Sequence, residues 1–162
     1  MRPDRSALRA ELESWLCEEL GATGVTRLCP RCGGSDHGRP VLLGATGSDG
    51  RPSVSLSYAD GLGVAAWTRD GAIGIDVEVV GPPVGEFGDR VTWTRTEAVL
   101  KATGDGVSRL PHDLPAMWSQ ELDVPAGWVG TVAVAGAHGP VVSWWAAGPA
   151  ATGRRARPRR ER

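Results

Sequence analysis

Apolar positions near the N-terminus recur at the spacing of one helix face. Between residues 7 and 20, the apolar positions of this stripe are Leu8, Leu12, Trp15, Leu16 and Leu20. Residues three or four apart lie on the same side of an α-helix, so the stripe is typical of a helix packed against a core. Ser6 stands where an N-cap is expected, and Gly21 is a natural stop. The pattern predicts a helix over about residues 7–20.

Farther along the chain, the pattern changes to short apolar runs broken by turns. The runs at 53–57, 62–68 and 73–79 are typical of β-strands, and turn sequences at 59–61 and 69–71 separate them. Because short turns favour hairpins, the pattern predicts a three-stranded antiparallel meander with 73–79 as its third strand.

The C-terminal half mixes one helix with more strands. A Gly/Pro-rich connector leads to a helix predicted over about residues 94–103, which Gly104 ends. Further β-like runs lie near 117–122, 129–135 and 141–145. Helices and sheets in this order bury one face of each element in layers. The sequence therefore predicts an α+β fold.

Acidic side chains interrupt the third strand and the second helix at spacings that bring them together. Asp76 and Glu78 stand at i and i+2 in a strand, so they share one face. Glu97 and Lys101 stand at i and i+4 in a helix, so they also share a face. Carboxylate oxygens are ligands that Mg²⁺ prefers, and Mg²⁺ sites are often completed by phosphates. The sequence predicts a Mg²⁺ site beside a phosphate-binding ammonium.

Composition strengthens the interpretation of Lys101. It is the only lysine among the 18 lysine and arginine residues of the chain. The compact ammonium of lysine is not equivalent to the planar guanidinium of arginine. We interpret Lys101 as a residue that the site requires.

Length and charge exclude several classes of protein. The 162 residues fit one domain or two small halves. The net charge of −1 argues against a general nucleic-acid binder. No apolar run approaches the roughly 20 residues that span a bilayer, and the first residues lack an apolar signal core. We expect a cytoplasmic protein without a nucleic-acid or membrane partner.

Cys29-x-x-Cys32, followed by His37, resembles half of a zinc site. A structural zinc ion needs four ligands, and the sequence contains no second Cys-x-x-Cys pair. The favoured interpretation is a turn with two half-buried thiols, with metal binding as the open alternative. Three cysteines do not suggest a secreted disulfide framework.

Four segments, in this order, resemble the 4′-phosphopantetheinyl transferase superfamily of the surfactin-synthetase-activating type. They are the turn His37-Gly38-Arg39-Pro40, the strand 53–57, the segment Gly74-Ile75-Asp76-Val77-Glu78 and the helix from Trp93 to Lys101. The resemblance covers about residues 25–146. It implies a phosphopantetheinyl transferase-like domain over 1–147, with two similar halves at about 1–80 and 81–147 and the site between them. The arginine-rich tail at 148–162 is predicted to be disordered.

The family transfers phosphopantetheine from coenzyme A to a serine of an acyl or peptidyl carrier protein, often in polyketide or nonribosomal peptide biosynthesis. By this resemblance, Asp76, Glu78 and Glu97 hold Mg²⁺ against the pyrophosphate of coenzyme A. Glu97 also helps to deprotonate the serine, and Lys101 neutralises or protonates the leaving phosphate. The residues that the resemblance implies for binding coenzyme A are Arg39, Pro40, Ser57 and Tyr58.

Three features depart from the family pattern. Tyr58 stands where the family usually has histidine, Thr96 stands where it usually has lysine, and the link at 79–92 is shorter than in most relatives. These departures leave two alternatives open. One is a family scaffold that catalyses another reaction, such as a cyclisation or condensation on a biosynthetic intermediate. The other is a carrier-protein binder without catalytic activity.

Overall fold

The computed structural model describes residues 3–29, 31–35, 37–45, 50–104, 114–136 and 138–149. Besides the short 3₁₀ helix Gly85–Phe87, two α-helices and eight β-strands make up its regular structure in these ranges. In chain order they are α1 (Arg5–Leu20), β1 (Gly24–Leu28), β2 (Arg39–Leu43), β3 (Ser53–Ala59), β4 (Leu62–Thr68), β5 (Ile73–Val79), α2 (Arg90–Thr103), β6 (Trp118–Glu121), β7 (Trp128–Val134) and β8 (Ser143–Ala147). The α+β class predicted from the sequence is confirmed.

The two helices begin earlier than predicted and end where predicted. Asp4, not Ser6, occupies the N-cap of α1, and the Ser6 hydroxyl donates to the Asp4 carboxylate. The carboxylate of Asp89 caps α2 by accepting from the backbone N–H of Thr92 at 2.8 Å. Gly21 and Gly104 close the two C-termini in the left-handed conformation, in which glycine has no steric penalty.

The strands form three antiparallel sheets, ordered β1-β2, β3-β4-β8 and β5-β7-β6. The predicted meander is therefore wrong at its third strand, because β4 pairs with β8 and β5 pairs with β7. Alternation fixes which face of a strand is buried but not which strand lies beside it. Here Ile73, Ile75 and Val77 turn into a core shared by the two larger sheets, instead of extending the first sheet.

The core is layered. The two three-stranded sheets pack face to face through a cluster that includes Leu62 and Val64 of β4, Val132 of β7 and Trp144 of β8. The other face of β3-β4-β8 is covered by α1, and the other face of β5-β7-β6 is covered by α2. The order of layers is helix, sheet, sheet, helix, and the acidic face of β5 lies under α2.

Serine hydroxyls join the two sheets along the free edge of β5. The backbone N–H groups of Ile73, Ile75 and Val77 donate to the hydroxyls of three serines at 3.0, 3.1 and 3.3 Å. In the same order the serines are Ser53, Ser55 and Ser57. These N–H groups point away from β7. Without the serine hydroxyls they would be buried hydrogen-bond donors that lack an acceptor at the edge of the sheet. The serine hydroxyls of β3 thus accept the hydrogen bonds that backbone carbonyl oxygens of a neighbouring strand would otherwise accept.

We expect Ser55→Ala to lower the free energy of unfolding by about 1–3 kcal/mol, because it leaves the buried N–H of Ile75 without an acceptor. Ser119→Ala is the matched control, since Ser119 lies in β6, which β7 separates from β5. The control is expected to change stability by about 0.5 kcal/mol or less. Urea denaturation checks both variants, and an equal loss in the two would contradict the role given to Ser55.

Strand pairing crosses the predicted boundary between the halves at about residue 80. β5 precedes residue 80 but pairs with β7, and β8 follows residue 81 but pairs with β4.

Residues 150–162 of the basic tail lie outside the described residues. Neither helix in the described part of the chain has the length and apolar character that a membrane crossing requires.

Candidate active site

Asp76 lies at the centre of the candidate site, in the middle of β5, and is only 4% exposed. Its Oδ1 accepts hydrogen bonds from the Ser57 hydroxyl at 2.8 Å and from the Lys101 ammonium at 2.7 Å. Its Oδ2 is buried and has no hydrogen-bond partner among the described residues. Burying a carboxylate oxygen without a hydrogen-bond donor costs free energy. A cation beside Oδ2 would therefore stabilise the Asp76 carboxylate.

α2 places Lys101 against Asp76. Besides the bond to Asp76, Nζ donates to the carbonyl oxygen of Ile75 at 3.0 Å. An ammonium has three donors, and these bonds use two of them. The Lys101 side chain is 32% exposed. Within the described contacts, a third N–H of Lys101 is left for an anion that approaches from solvent.

Glu97 lies one helical turn before Lys101 and is half-buried. Burial raises the pKa of Glu97 above its ordinary value of 4.5, and the negative charge of Asp76 raises it further. The positive charge of Lys101 acts to lower the pKa of Glu97, and the negative charge of Glu78 acts to raise it. The Glu97 carboxylate therefore accepts a proton more readily than an exposed glutamate does.

Glu78 lies on the same face of β5 but has other partners. Its Oε2 pairs with Arg90 Nη1 at 3.3 Å, and its Oε1 accepts from Trp93 Nε1 at 3.4 Å. The Trp93 ring in turn packs on Phe87, with ring centroids 4.7 Å apart. These contacts tie Glu78 to the start of α2 and hold Trp93 beside the acidic strand.

A divalent cation would stabilise the carboxylates of Asp76 and Glu97 more than that of Glu78. The orphaned Oδ2 of Asp76 and the disfavoured charge of Glu97 would both be relieved by a cation. Glu78 is already paired with Arg90. The ligand atoms of Asp76, Glu78 and Glu97 do not all lie within 4.8 Å of one another. Their joint role as metal ligands stays a prediction.

Arg39 reaches the same helix from the β1–β2 hairpin. Its Nη2 donates to the carbonyl oxygens of Lys101 at 2.7 Å and Ala102 at 2.8 Å. A cation at this end satisfies unpaired helix carbonyls and complements the helix dipole. Pro40 follows in the ladder opposite Arg27. The structure brings Arg39 to the site as a helix cap, while the predicted contacts of Arg39 and Pro40 with coenzyme A stay untested.

Ser57 and Tyr58 point to opposite faces of β3. The Ser57 hydroxyl is buried between Asp76 and the backbone N–H of Val77. The Tyr58 ring packs on the α1 side, with the Arg5 guanidinium 5.1 Å from its centroid. Burial raises the pKa of Tyr58. The structure therefore brings Ser57 to the carboxylates and does not bring Tyr58 there, and their predicted binding of a 3′-phosphate stays untested.

A second cluster forms in the loop between β1 and β2. The ligand atoms of Cys29, Cys32 and His37 all lie within 4.8 Å of one another. The three cysteines of the chain are free thiols, and Cys32 is exposed while Cys29 is partly buried. Backbone N–H groups of Cys32 and Arg31 lower the pKa of Cys29 to about 7. The expectation of two half-buried thiols is thus correct for Cys29 alone.

Sequence reasoning missed two residues that shape the site. Arg90 neutralises Glu78, and Gly74 lets α2 approach β5, because a Cβ at Gly74 would lie 1.9 Å from the carbonyl oxygen of Ala98. A glycine inside a strand pattern is a signal of close backbone approach, and it was available in the sequence. No sequence signal linked Arg90 to Glu78.

Comparison of the chain with protein-family models, with curated proteins and with solved structures finds no match. The resemblance to the phosphopantetheinyl transferases rests on the motifs quoted above.

Proposed function

We propose that this protein transfers the 4′-phosphopantetheine group of coenzyme A to a serine of an acyl or peptidyl carrier protein, with Mg²⁺ as cofactor. The observation that carries the proposal is the contact of Lys101 with Asp76 at 2.7 Å, with Glu97 one helical turn away on the same helix. Transfer of a phosphoryl-type group depends on positioning and charge neutralisation more than on covalent chemistry. This cluster offers both carboxylates and an ammonium for that purpose.

In this proposal, Asp76 and Glu97 would hold the metal, and Glu78 would join them as a third ligand if it left Arg90. A bound Mg²⁺ supplies charge neutralisation for the pyrophosphate. The orphaned Oδ2 of Asp76 supports this assignment, because it is a buried anionic oxygen that still needs a positive partner.

The chemistry of the protein's own residues is acid–base and electrostatic. The carboxylate of Glu97 takes the proton of the carrier serine, whose oxygen forms a bond to the β-phosphorus as the bond from that phosphorus to the bridging oxygen breaks. The leaving group is 3′,5′-ADP, and the ammonium of Lys101 neutralises the charge that develops on its phosphate.

The test is a mass measurement on an apo carrier protein incubated with coenzyme A, Mg²⁺ and this protein. We expect the carrier mass to rise by one phosphopantetheine group and 3′,5′-ADP to appear in equal amount. A chelator should prevent both, and a carrier with its acceptor serine changed to alanine should stay unmodified. No mass gain with a panel of acyl and peptidyl carriers would reject the proposal.

A second candidate is a related scaffold that acts on another biosynthetic intermediate. The positions of Ser57 and Tyr58 favour it, because the Ser57 hydroxyl is engaged with Asp76 and Tyr58 lies on the opposite face of β3. Calorimetry with coenzyme A distinguishes the two candidates, since the second predicts no binding of coenzyme A with or without Mg²⁺.

A further inference from the structure

The cluster of Cys29, Cys32 and His37 has the dimensions of a metal site. Among the described residues it is the one group of three such side chains whose ligand atoms all lie within 4.8 Å of one another. Cys32 Sγ and His37 Nε2 are 3.4 Å apart. In a tetrahedral zinc site with Zn–S of about 2.3 Å and Zn–N of about 2.05 Å, neighbouring sulfur and nitrogen ligands are about 3.6 Å apart. The observed separation matches that of two ligands of one ion.

The backbone of the same loop is arranged to hold sulfur in its charged form. The N–H of Gly34 donates to Cys32 Sγ at 3.4 Å, and the N–H groups of Cys32 and Arg31 donate to Cys29 Sγ. Two backbone bonds, from Gly33 to Cys29 at 2.8 Å and from Cys29 to Gly34 at 2.9 Å, close the loop around them. The thiolate is the metal ligand, and donors around it orient and stabilise it.

We propose that Cys29, Cys32 and His37 bind one Zn²⁺ ion through Sγ, Sγ and Nε2, with a fourth position open to solvent or to an added ligand. Thiolate and imidazole ligands select zinc over a hard cation such as Mg²⁺. Sites with three protein ligands typically keep an exchangeable fourth position. Cys32 and His37 are exposed, so that position is reachable from solvent.

The proposed ion lies where it would hold the β1–β2 loop against the rest of the protein. At Gly38, next to His37, a Cβ would lie 2.5 Å from the carbonyl oxygen of Leu28, so the two sides of the loop are in close contact. Arg39 follows directly and caps α2 at Lys101 and Ala102. Zinc binding is therefore expected to stabilise this turn and its contact with α2. The proposal stands independently of the transferase activity.

The test uses the full-length protein, reduced, freed of metal by a chelator and titrated with Co²⁺ under anaerobic conditions. We expect one equivalent of Co²⁺ to produce the thiolate charge-transfer absorption and the d–d bands of a tetrahedral site. One equivalent of Zn²⁺ should abolish these bands, whereas millimolar Mg²⁺ should not. Saturation with Zn²⁺ should raise the melting temperature by about 5 °C, as expected for a ligand that binds only the folded state.

Cys17→Ser is the matched control, because Cys17 is a thiol of α1 outside the cluster. It should bind Co²⁺ as the unchanged protein does, while Cys32→Ser and His37→Gln should weaken binding by about 100-fold or more. Circular dichroism of the metal-free variants checks that each one folds. The proposal is overturned if the unchanged protein gives no thiolate absorption, if Cys32→Ser binds as tightly as Cys17→Ser, or if Mg²⁺ competes for the site.

Discussion

Glu97→Gln is expected to reduce transfer of phosphopantetheine by about 1000-fold and to make the folded protein more stable at neutral pH. The loss of activity follows because the amide cannot accept the serine proton and is a poor ligand for Mg²⁺, and general base catalysis alone contributes about 10²–10⁴-fold. The gain in stability follows because the variant no longer buries an ionised carboxylate beside Asp76. An exposed glutamate outside the site would show neither effect.

The sign of the stability effect follows from the pKa of Glu97, which is raised in the folded protein above the ordinary value of 4.5. The folded state therefore binds this proton more tightly than the unfolded chain. The resulting stabilisation is fully present below the ordinary value and is lost as the pH rises through the raised pKa. The melting temperature of Glu97→Gln should match that of the unchanged protein near pH 4 and exceed it by about 2 °C at pH 8.

Thermal melts across this pH range and single-turnover mass measurements check the two effects separately. The melts are made with a chelator, because a bound cation would lower the pKa of Glu97 and hide the difference. Glu11→Gln, on the exposed side of α1, is the control and should change neither quantity. Transfer within tenfold of the unchanged protein would remove Glu97 from the chemistry, and a lower melting temperature at pH 8 would contradict the cost of its burial.

Strands β3 to β8 could be located from the sequence because burial of one face imposes an alternating pattern, whereas β1 and β2 were not predicted. β4 and β5 begin and end at the predicted residues, and β3 continues to Ala59, two residues beyond the prediction. Strand pairing could not be predicted in the same way, because it depends on contacts between distant segments. The exchange of β5 and β8 between the sheets places Ile75 and Trp144 in one core, and neither local pattern contains that information.

The chemical residues were predictable for a similar reason. Asp76 and Glu78 on one strand face, and Glu97 and Lys101 on one helix face, follow from local periodicity alone. What the sequence did not reveal is how these groups are paired in the absence of a ligand. The capping of α2 by Arg39, the neutralisation of Glu78 by Arg90 and the contact of Ser57 with Asp76 all depend on how separate elements pack.

Gly74→Ala is expected to lower the free energy of unfolding by about 3 kcal/mol or more, because it places a methyl group inside backbone atoms of α2. The added Cβ would lie 1.9 Å from the carbonyl oxygen of Ala98 and 2.7 Å from the backbone nitrogen of Ala102. Both atoms belong to a helix backbone and cannot rotate away as a side chain does. The helix must therefore shift from the sheet by more than an ångström, or the variant must unfold.

Gly24→Ala provides the matched control, since Gly24 is also a strand glycine and its added Cβ would meet only Leu43 Cδ1, at 3.7 Å. Urea denaturation should give nearly unchanged stability for this variant, within about 0.5 kcal/mol. Equal stability of the two alanine variants would show that α2 does not pack as closely on β5 as described. Because Glu97 and Lys101 flank Ala98 along α2, any shift that relieves the collision also moves both side chains relative to Asp76. A folded Gly74→Ala protein should therefore lose transfer activity even at temperatures where it stays native, which would separate the position of the helix from the stability of the fold.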